Sequence, residues 1–269
     1  MRCYLLDTAP AIFLASDLLF TVQPKYSGRT RLRQACAASD EPSTKRLPAA
    51  ANEAVDLAPR LGELRCRYAG LSGAALLRPL IEHEFCGRLA VVSSFGAESA
   101  ALLTLVAEID RGVPVLLLDT GRLFGETLRY RRRLVAALDL TDVRTFRPQP
   151  RELAASDAEG VLWLTNPDRC CAVRKVLPLA RALHGFAAWV SGRKRYQGAT
   201  RATLPIFEAD DAGRIKINPL ADWSHAQIEE VFTARNLPRH PLVDDGYLSI
   251  GCAPCSDRAY SGEDPRTGR

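Results

Sequence analysis

Long apolar runs are what this sequence most plainly lacks. No segment reaches the roughly 18 uncharged apolar residues that a membrane-crossing helix needs, because the most apolar stretch near the start is broken by Asp7 and Asp17. That start carries a single Arg ahead of its apolar residues and no small-residue cleavage site before a folded region, so a secretory leader is not expected. A dense basic stripe is missing too: 36 Lys and Arg against 31 Asp and Glu give a net charge of +5. That balance favours a small anionic partner but does not point to a nucleic acid. Histidine is scarce, and His83, His184, His225 and His240 show no ligand spacing, so all four read as structural or surface residues. Eight cysteines are too few to staple 269 residues. The expectation is a protein of the reducing cytoplasm with neither a nucleic acid nor a membrane as partner.

What the sequence does hold is enough apolar residues, 47% against 25% charged, for one sizeable domain rather than a disordered or fibrous chain. Residues 1–50 follow no helix or strand period between Gln23 and Lys45 and read as a flexible extension of unassigned role, leaving 51–269 as the domain. Leu57, Leu61 and Leu64, then Leu76, Leu77, Leu80 and Ile81, recur at helical spacing on either side of Gly70-Leu71-Ser72-Gly73. Short apolar runs at 89–92 and 115–118 are each followed by a polar turn and an amphipathic stretch, with further strands expected at 143–146 and 188–190. Leu204–Phe207 and Ile215–Ile217 frame a hairpin, and Ser224 with Gln227 predicts a capped helix. This order predicts an α/β fold, a doubly wound, mostly parallel sheet flanked by helices. Such sheets bind ligands at the carboxyl ends of their strands, which places the loops after Val92, Leu118 and Val190 around the site.

The turn Ser93-Ser94-Phe95-Gly96-Ala97-Glu98-Ser99 can present backbone N–H groups, serine hydroxyls and a helix dipole to an anion. It lacks the Lys-Ser or Lys-Thr of a Walker-type loop, and simple capping is the plainer alternative. Glu98 would oppose a second phosphate placed nearby, or merely favour the first helical turn if it faces solvent.

The cysteines are unevenly spread: Cys3, Cys36, Cys66 and Cys86 are scattered, whereas Cys170-Cys171 and Cys252-Ala253-Pro254-Cys255 form tight pairs. Four thiolates could serve a tetrahedral zinc or an iron–sulfur cluster. Adjacent cysteines reach the spread-out irons of a cluster more readily than one small ion. Asn166-Pro167 predicts a helix start that puts the tandem pair in a first turn, where the dipole favours thiolates, and Pro178 should kink or end that helix. The bland alternative is two buried cysteines and an unrelated redox dithiol. Arg174, Lys175, the run Gly192-Arg193-Lys194-Arg195-Tyr196-Gln197, Arg201, Arg258, Arg266 and Arg269 supply cations, some of which could clamp a phosphate or sulfate.

Together these segments resemble the assimilatory adenosine 5′-phosphosulfate (APS) reductases of the larger phosphoadenylyl-sulfate reductase family, whose fold is adenine nucleotide alpha hydrolase-like. The likeness runs from Leu89 to Arg269. It rests on 93–98, Leu-Asp-Thr-Gly-Arg-Leu-Phe at 118–124, Cys-Cys-Ala-Val-Arg-Lys-Val at 170–176, Gly-Cys-Ala-Pro-Cys at 251–255 and Gly-Glu-Asp-Pro-Arg at 262–266. The resemblance implies a [4Fe–4S] cluster on Cys170, Cys171, Cys252 and Cys255. It also implies a pocket in which the turn of Ser93, Ser94, Phe95 and Gly96 and the backbone near Leu118 and Gly192 hold the nucleotide, with Lys175, Arg201, Arg266 and Arg269 meeting the phosphosulfate. In the family reaction a cysteine thiolate attacks sulfur, AMP leaves, and thioredoxin cleaves the S-sulfocysteine to release sulfite for cysteine biosynthesis. A homo-oligomer is compatible with this reading.

Two departures stand out. Lys194 occupies a position where many members carry arginine, and is left out of the expected site because it lacks the planar fork. Family members also continue beyond the Gly-Arg matched by Gly268-Arg269 into a Glu-Cys-Gly-x-His tail bearing the nucleophile. The 269 residues are therefore expected to bind substrate without forming a covalent intermediate. The competing expectations are reduction of 3′-phosphoadenosine 5′-phosphosulfate (PAPS), a non-catalytic nucleotide- or cluster-binding relative, and an adenylating sulfurtransferase, whose Gly-Gly-x-Asp turn 95–98 fits poorly.

Overall fold

The computed structural model describes residues 57–258. The expected extension 1–50, and Arg266 and Arg269, lie outside the described residues. Six strands form one sheet: β1 (Leu89–Val92), β2 (Val115–Leu118), β3 (Val143–Phe146), β4 (Ala188–Ser191), β5 (Phe207–Ala209) and β6 (Ile215–Ile217). Their order is β3-β2-β1-β4-β6-β5, parallel throughout except for the antiparallel β5–β6 edge. This is the doubly wound α/β fold. The chain winds outward from β1 in one direction and from β4 in the other, so the loops after these two neighbours diverge and leave a crevice between them.

The apolar runs of the central strands follow from their being covered on both faces. Leu89, Val91, Val115, Leu117, Ala188 and Val190 point into the larger core with the helices α1 (Ala58–Arg67) and α2 (Gly73–Pro79), whereas Ala90, Leu116 and Trp189 pack on the opposite face with Ala182 and Leu183. The alternation is the period-2 pleat read directly. Helix α3 (Ser99–Ala107) is buried at every position from Ala100 to Val106, which explains its lack of a polar face. Gly73 at φ 51° begins α2 where a Cβ would lie 2.4 Å from the Trp223 ring, so no larger residue fits.

Two local signals resolve into specific geometry. At the start of helix α9 (His225–Ala234) the Ser224 Oγ accepts from the Gln227 N–H at 3.3 Å, and Gln227 returns a 2.8 Å acceptor to the Ser224 N–H. Helix α7 (Pro167–Cys171) is capped by the Asn166 side chain, accepting from the Arg169 N–H at 3.0 Å. Pro178 does not kink or end it abruptly: the chain widens into a π-turn over Ala172–Val176, with the Leu177 N–H reaching the Ala172 carbonyl, and resumes as α8 (Leu177–Ala182) with the proline in its first turn. The wider turn absorbs the missing donor. No helix among the described residues is long and apolar enough to cross a membrane.

Candidate functional site

A cavity of about 380 Å³ opens at the carboxyl ends of β1 and β4, a size suited to a nucleotide. One wall is the turn after β1. The Phe95 N–H bonds to the Ser93 Oγ at 3.1 Å, and the Ser99 hydroxyl donates to the Gly96 carbonyl at 2.6 Å, closing the turn into α3. Phe95 sits at φ 49° with its ring wholly buried, following a buried Ser93 and an exposed Ser94 on the cavity side. Gly96 lies against the Ile250 carbonyl, 3.3 Å from where a Cβ would stand, so the 248–250 segment closes over this wall.

The other wall follows β4, and the two are tied together by one carboxylate. Glu98 accepts from Lys194 Nζ at 2.7 Å, from the Tyr196 hydroxyl at 2.6 Å and from Gln197 Nε2 at 2.8 Å. Arg201 in turn donates to Gln197 Oε1 at 2.6 Å. Burial by itself would raise the Glu98 carboxyl, but Lys194, Tyr196 and Gln197 outweigh it and hold the group below the ordinary glutamate value. Lys194 is 2% exposed, and burial lowers its ammonium despite the attraction of Glu98. His225 stands edge-on to the Tyr196 ring and 3.9 Å from Glu229, which Arg239 also holds.

A second, smaller cleft is lined by Cys170, Cys171, Cys252 and Cys255 with Arg122, Trp163, Arg174 and Lys175. Helix α7 brings the tandem pair, and a single bridge between Leu123 and Cys252, with the Ala253 N–H on the Arg122 carbonyl at 2.7 Å, brings the other. Thr120 Oγ1 lies 3.1 Å from Cys252 Sγ, and Lys175 Nζ 3.1 Å from Cys171 Sγ. Burial pushes the Cys170 thiol up, with Arg174 opposing. Among the described residues no three His, Cys, Asp or Glu side chains converge on a single ion position. The donor set nonetheless suits a bulkier anionic group: four sulfurs round one cleft, three basic side chains, and the Nε–H groups of Arg122 and Arg174, buried without an acceptor. Such unpaired donors are costly unless a guest with acceptor atoms meets them.

Residues 88–258 match the phosphoadenosine phosphosulfate reductase domain family. The chain belongs to that family. The adenosine 5′-phosphosulfate reductase of Mesorhizobium japonicum is 47% identical over 213 residues, 79% of this chain and 84% of the relative. That of Mycolicibacterium smegmatis is 40% identical over 207 residues, 75% of this chain and 84% of the relative. The crystal structure of phosphoadenylyl-sulfate (PAPS) reductase from Candida auris, in a phosphate complex, aligns with a TM-score of 0.63 at 28% identity, covering 73% of this chain and 96% of that one. Both cysteine pairs and the whole cavity lie inside the matched phosphosulfate reductase domain.

Against this frame the expected residues divide. Ser93, Ser94, Gly96, Gly192 and Arg201 line the cavity, and Lys175 lines the cysteine cleft. Phe95 reaches neither: its side chain is core. Leu118, at the end of β2, packs against the smaller apolar group on the far face of the sheet. Lys194, Tyr196, Gln197, His225, Glu229 and Arg239 were not expected at the cavity and line it. The run 192–197 after a strand already placed three of them at the sheet edge. His225, Glu229 and Arg239 carried no local signal, because their approach depends on how α9 packs.

Proposed function

We propose that the chain reduces adenosine 5′-phosphosulfate to sulfite and AMP, with thioredoxin as reductant, and that Cys170, Cys171, Cys252 and Cys255 hold a [4Fe–4S] cluster. The observation that carries this reading is the pairing of a nucleotide-sized cavity with a four-thiol cleft, joined by the short segment from Leu248 to Cys252. A reaction that turns on thiol reduction supports a cytoplasmic location.

The reaction needs a thiolate to attack sulfur while the sulfur–oxygen bond to the nucleotide phosphate breaks and AMP departs with the electron pair. A thioredoxin thiolate then releases sulfite from the S-sulfocysteine, and thioredoxin leaves as its disulfide. No residue between 57 and 258 is assigned the nucleophile's role. The chain's own contribution is positional: the Ser93 and Ser94 hydroxyls and Arg201 hold the phosphate and offset the charge that builds on it. When bound, the cluster supplies fixed charge beside the transferring group rather than electrons. Glu98, held ionised by its three donors, ties the two cavity walls together and is itself balanced by the Lys194 ammonium.

Competition binding to the full 269-residue protein tests this. APS should bind at least about tenfold more tightly than PAPS, a difference of about 1.4 kcal/mol, and failure to bind either APS or AMP would overturn the reading. PAPS reduction is the second reading, favoured by the likeness to the Candida auris reductase, and a reversed preference would install it.

A further inference from the structure

Arg174 is held in an unusual way for a residue one turn beyond the tandem cysteines. Its side chain is 9% exposed and pairs with Asp157, itself 1% exposed, at 2.5 Å. A second guanidinium nitrogen donates to the Thr120 carbonyl at 2.9 Å. The other Asp157 oxygen accepts from the Leu162 N–H at 2.8 Å, so the carboxylate cannot swing away. Thr120 lies against Cys252 through its hydroxyl, and one arginine therefore ties the α7 cysteines to the later pair. Clamped at two corners, the guanidinium retains an Nε–H that is buried and meets no acceptor, and the residue lines the cleft together with the four cysteines. Arg122 repeats the arrangement: one terminal nitrogen bonds to the Gly160 carbonyl, and its Nε is likewise buried and unmatched.

We propose that Arg174, aimed by Asp157 and Thr120, is a positioning residue that donates its Nε–H to a sulfur atom of the group held by the four cysteines, with Arg122 supplying a second such donor. This rests on the cluster reading given above. Asp157 earns no direct contact; it fixes the direction of the donor and balances its charge. Outer-shell donors of this kind commonly change metal-site retention by ten- to a hundredfold, about 10–100.

The test uses the reconstituted full chain. Iron release to a chelator is timed, and the Fe–S stretching bands are recorded in H₂O and D₂O, since an N–H donated to sulfur shifts those bands on exchange. Arg174→Met should release iron at least about tenfold faster and lose part of the D₂O shift. Because that change strands Asp157, the double variant Arg174→Met with Asp157→Asn serves as the folding control. It removes the unpaired charge while Asn keeps the acceptor for Leu162. The double variant should unfold cooperatively, yet still release iron fast and still show the smaller isotope shift. Wild-type release and a wild-type shift in the double variant would overturn the inference alone. A wild-type protein that takes up no iron and sulfide in near-equal amounts would overturn the cluster reading, and the inference with it.

Discussion

The cavity after β1 and β4 and the cleft beyond β2 sit side by side in one chain, and they satisfy their polar groups to different degrees. In the cavity wall the carboxylates are met from inside: Glu98 alone takes three donors and Glu229 is matched by Arg239, although the Arg193 Nε–H is buried there without an acceptor. In the cleft, two guanidinium donors are buried with no acceptor and four thiols face one another. The first arrangement has its carboxylates matched without a ligand and can accept and release one repeatedly. The second buries two unmatched donors beside four thiols, a cost that the proposed cluster would offset.

The strongest way to break this contrast is at the cleft. Cys170→Ser should abolish iron retention after reconstitution, measured as iron and sulfide per chain, while AMP still binds; retention of wild-type iron would show that the cleft is not the host. Next in size is a pH effect on the loop that bears Arg239. His240 is wholly buried, its Nδ1 accepting from the Leu242 N–H at 3.2 Å and its Nε2 3.0 Å from Thr127 Oγ1. Burial lowers the imidazole to about 4. The unfolded chain thus binds a proton at higher pH than the folded one does, and stability falls as pH drops from about 6.5 to about 4, by up to about 3 kcal/mol. Denaturation across that range should show the slope, and His240→Asn should flatten it. An unchanged slope would mean other groups carry the effect.

Lys194→Met should cost about 2 kcal/mol in chemical denaturation, since Glu98 is left half-buried with two of its three donors. It should also weaken nucleotide binding, and a neutral result would show that the cavity wall is less tightly matched than the cleft comparison requires. The smallest effect sharpens the ligand assignment. Arg201→Ala should weaken APS binding by about tenfold, about 1.4 kcal/mol, with little change in iron content. Equal loss for APS and for adenosine would place Arg201 away from the phosphate.

Much of this architecture was legible in the order of residues. Four-residue apolar runs, each ending in a Ser- or Asp-led turn, read as central strands of a covered sheet, and the capping pair at Ser224 and Gln227 marked its helix to the residue. Phe95 was harder. The family motif includes it in the nucleotide-binding turn, and in the structure its backbone stands at positive φ with the ring in the core. The resemblance named the backbone near Leu118, whose side chain packs with Val92 against the smaller apolar group. Lys194 was set aside for its chemistry, a point charge in place of a fork, although a compact ammonium is what a buried partner of Glu98 needs.

By itself the sequence determined the ingredients that depend on short spacing: the strands and turns, the tandem and Cys-x-x-Cys pairs, and the family that their combination marks. Tertiary structure alone decided which ingredients meet. Glu98 and Lys194 stand 96 residues apart and Thr120 and Cys252 132 apart, and no local periodicity records such distances. They are set when the sheet's winding reverses between β1 and β4 and the loops at the strand ends fold over one edge, where burial forces each polar group to find a partner or wait for one.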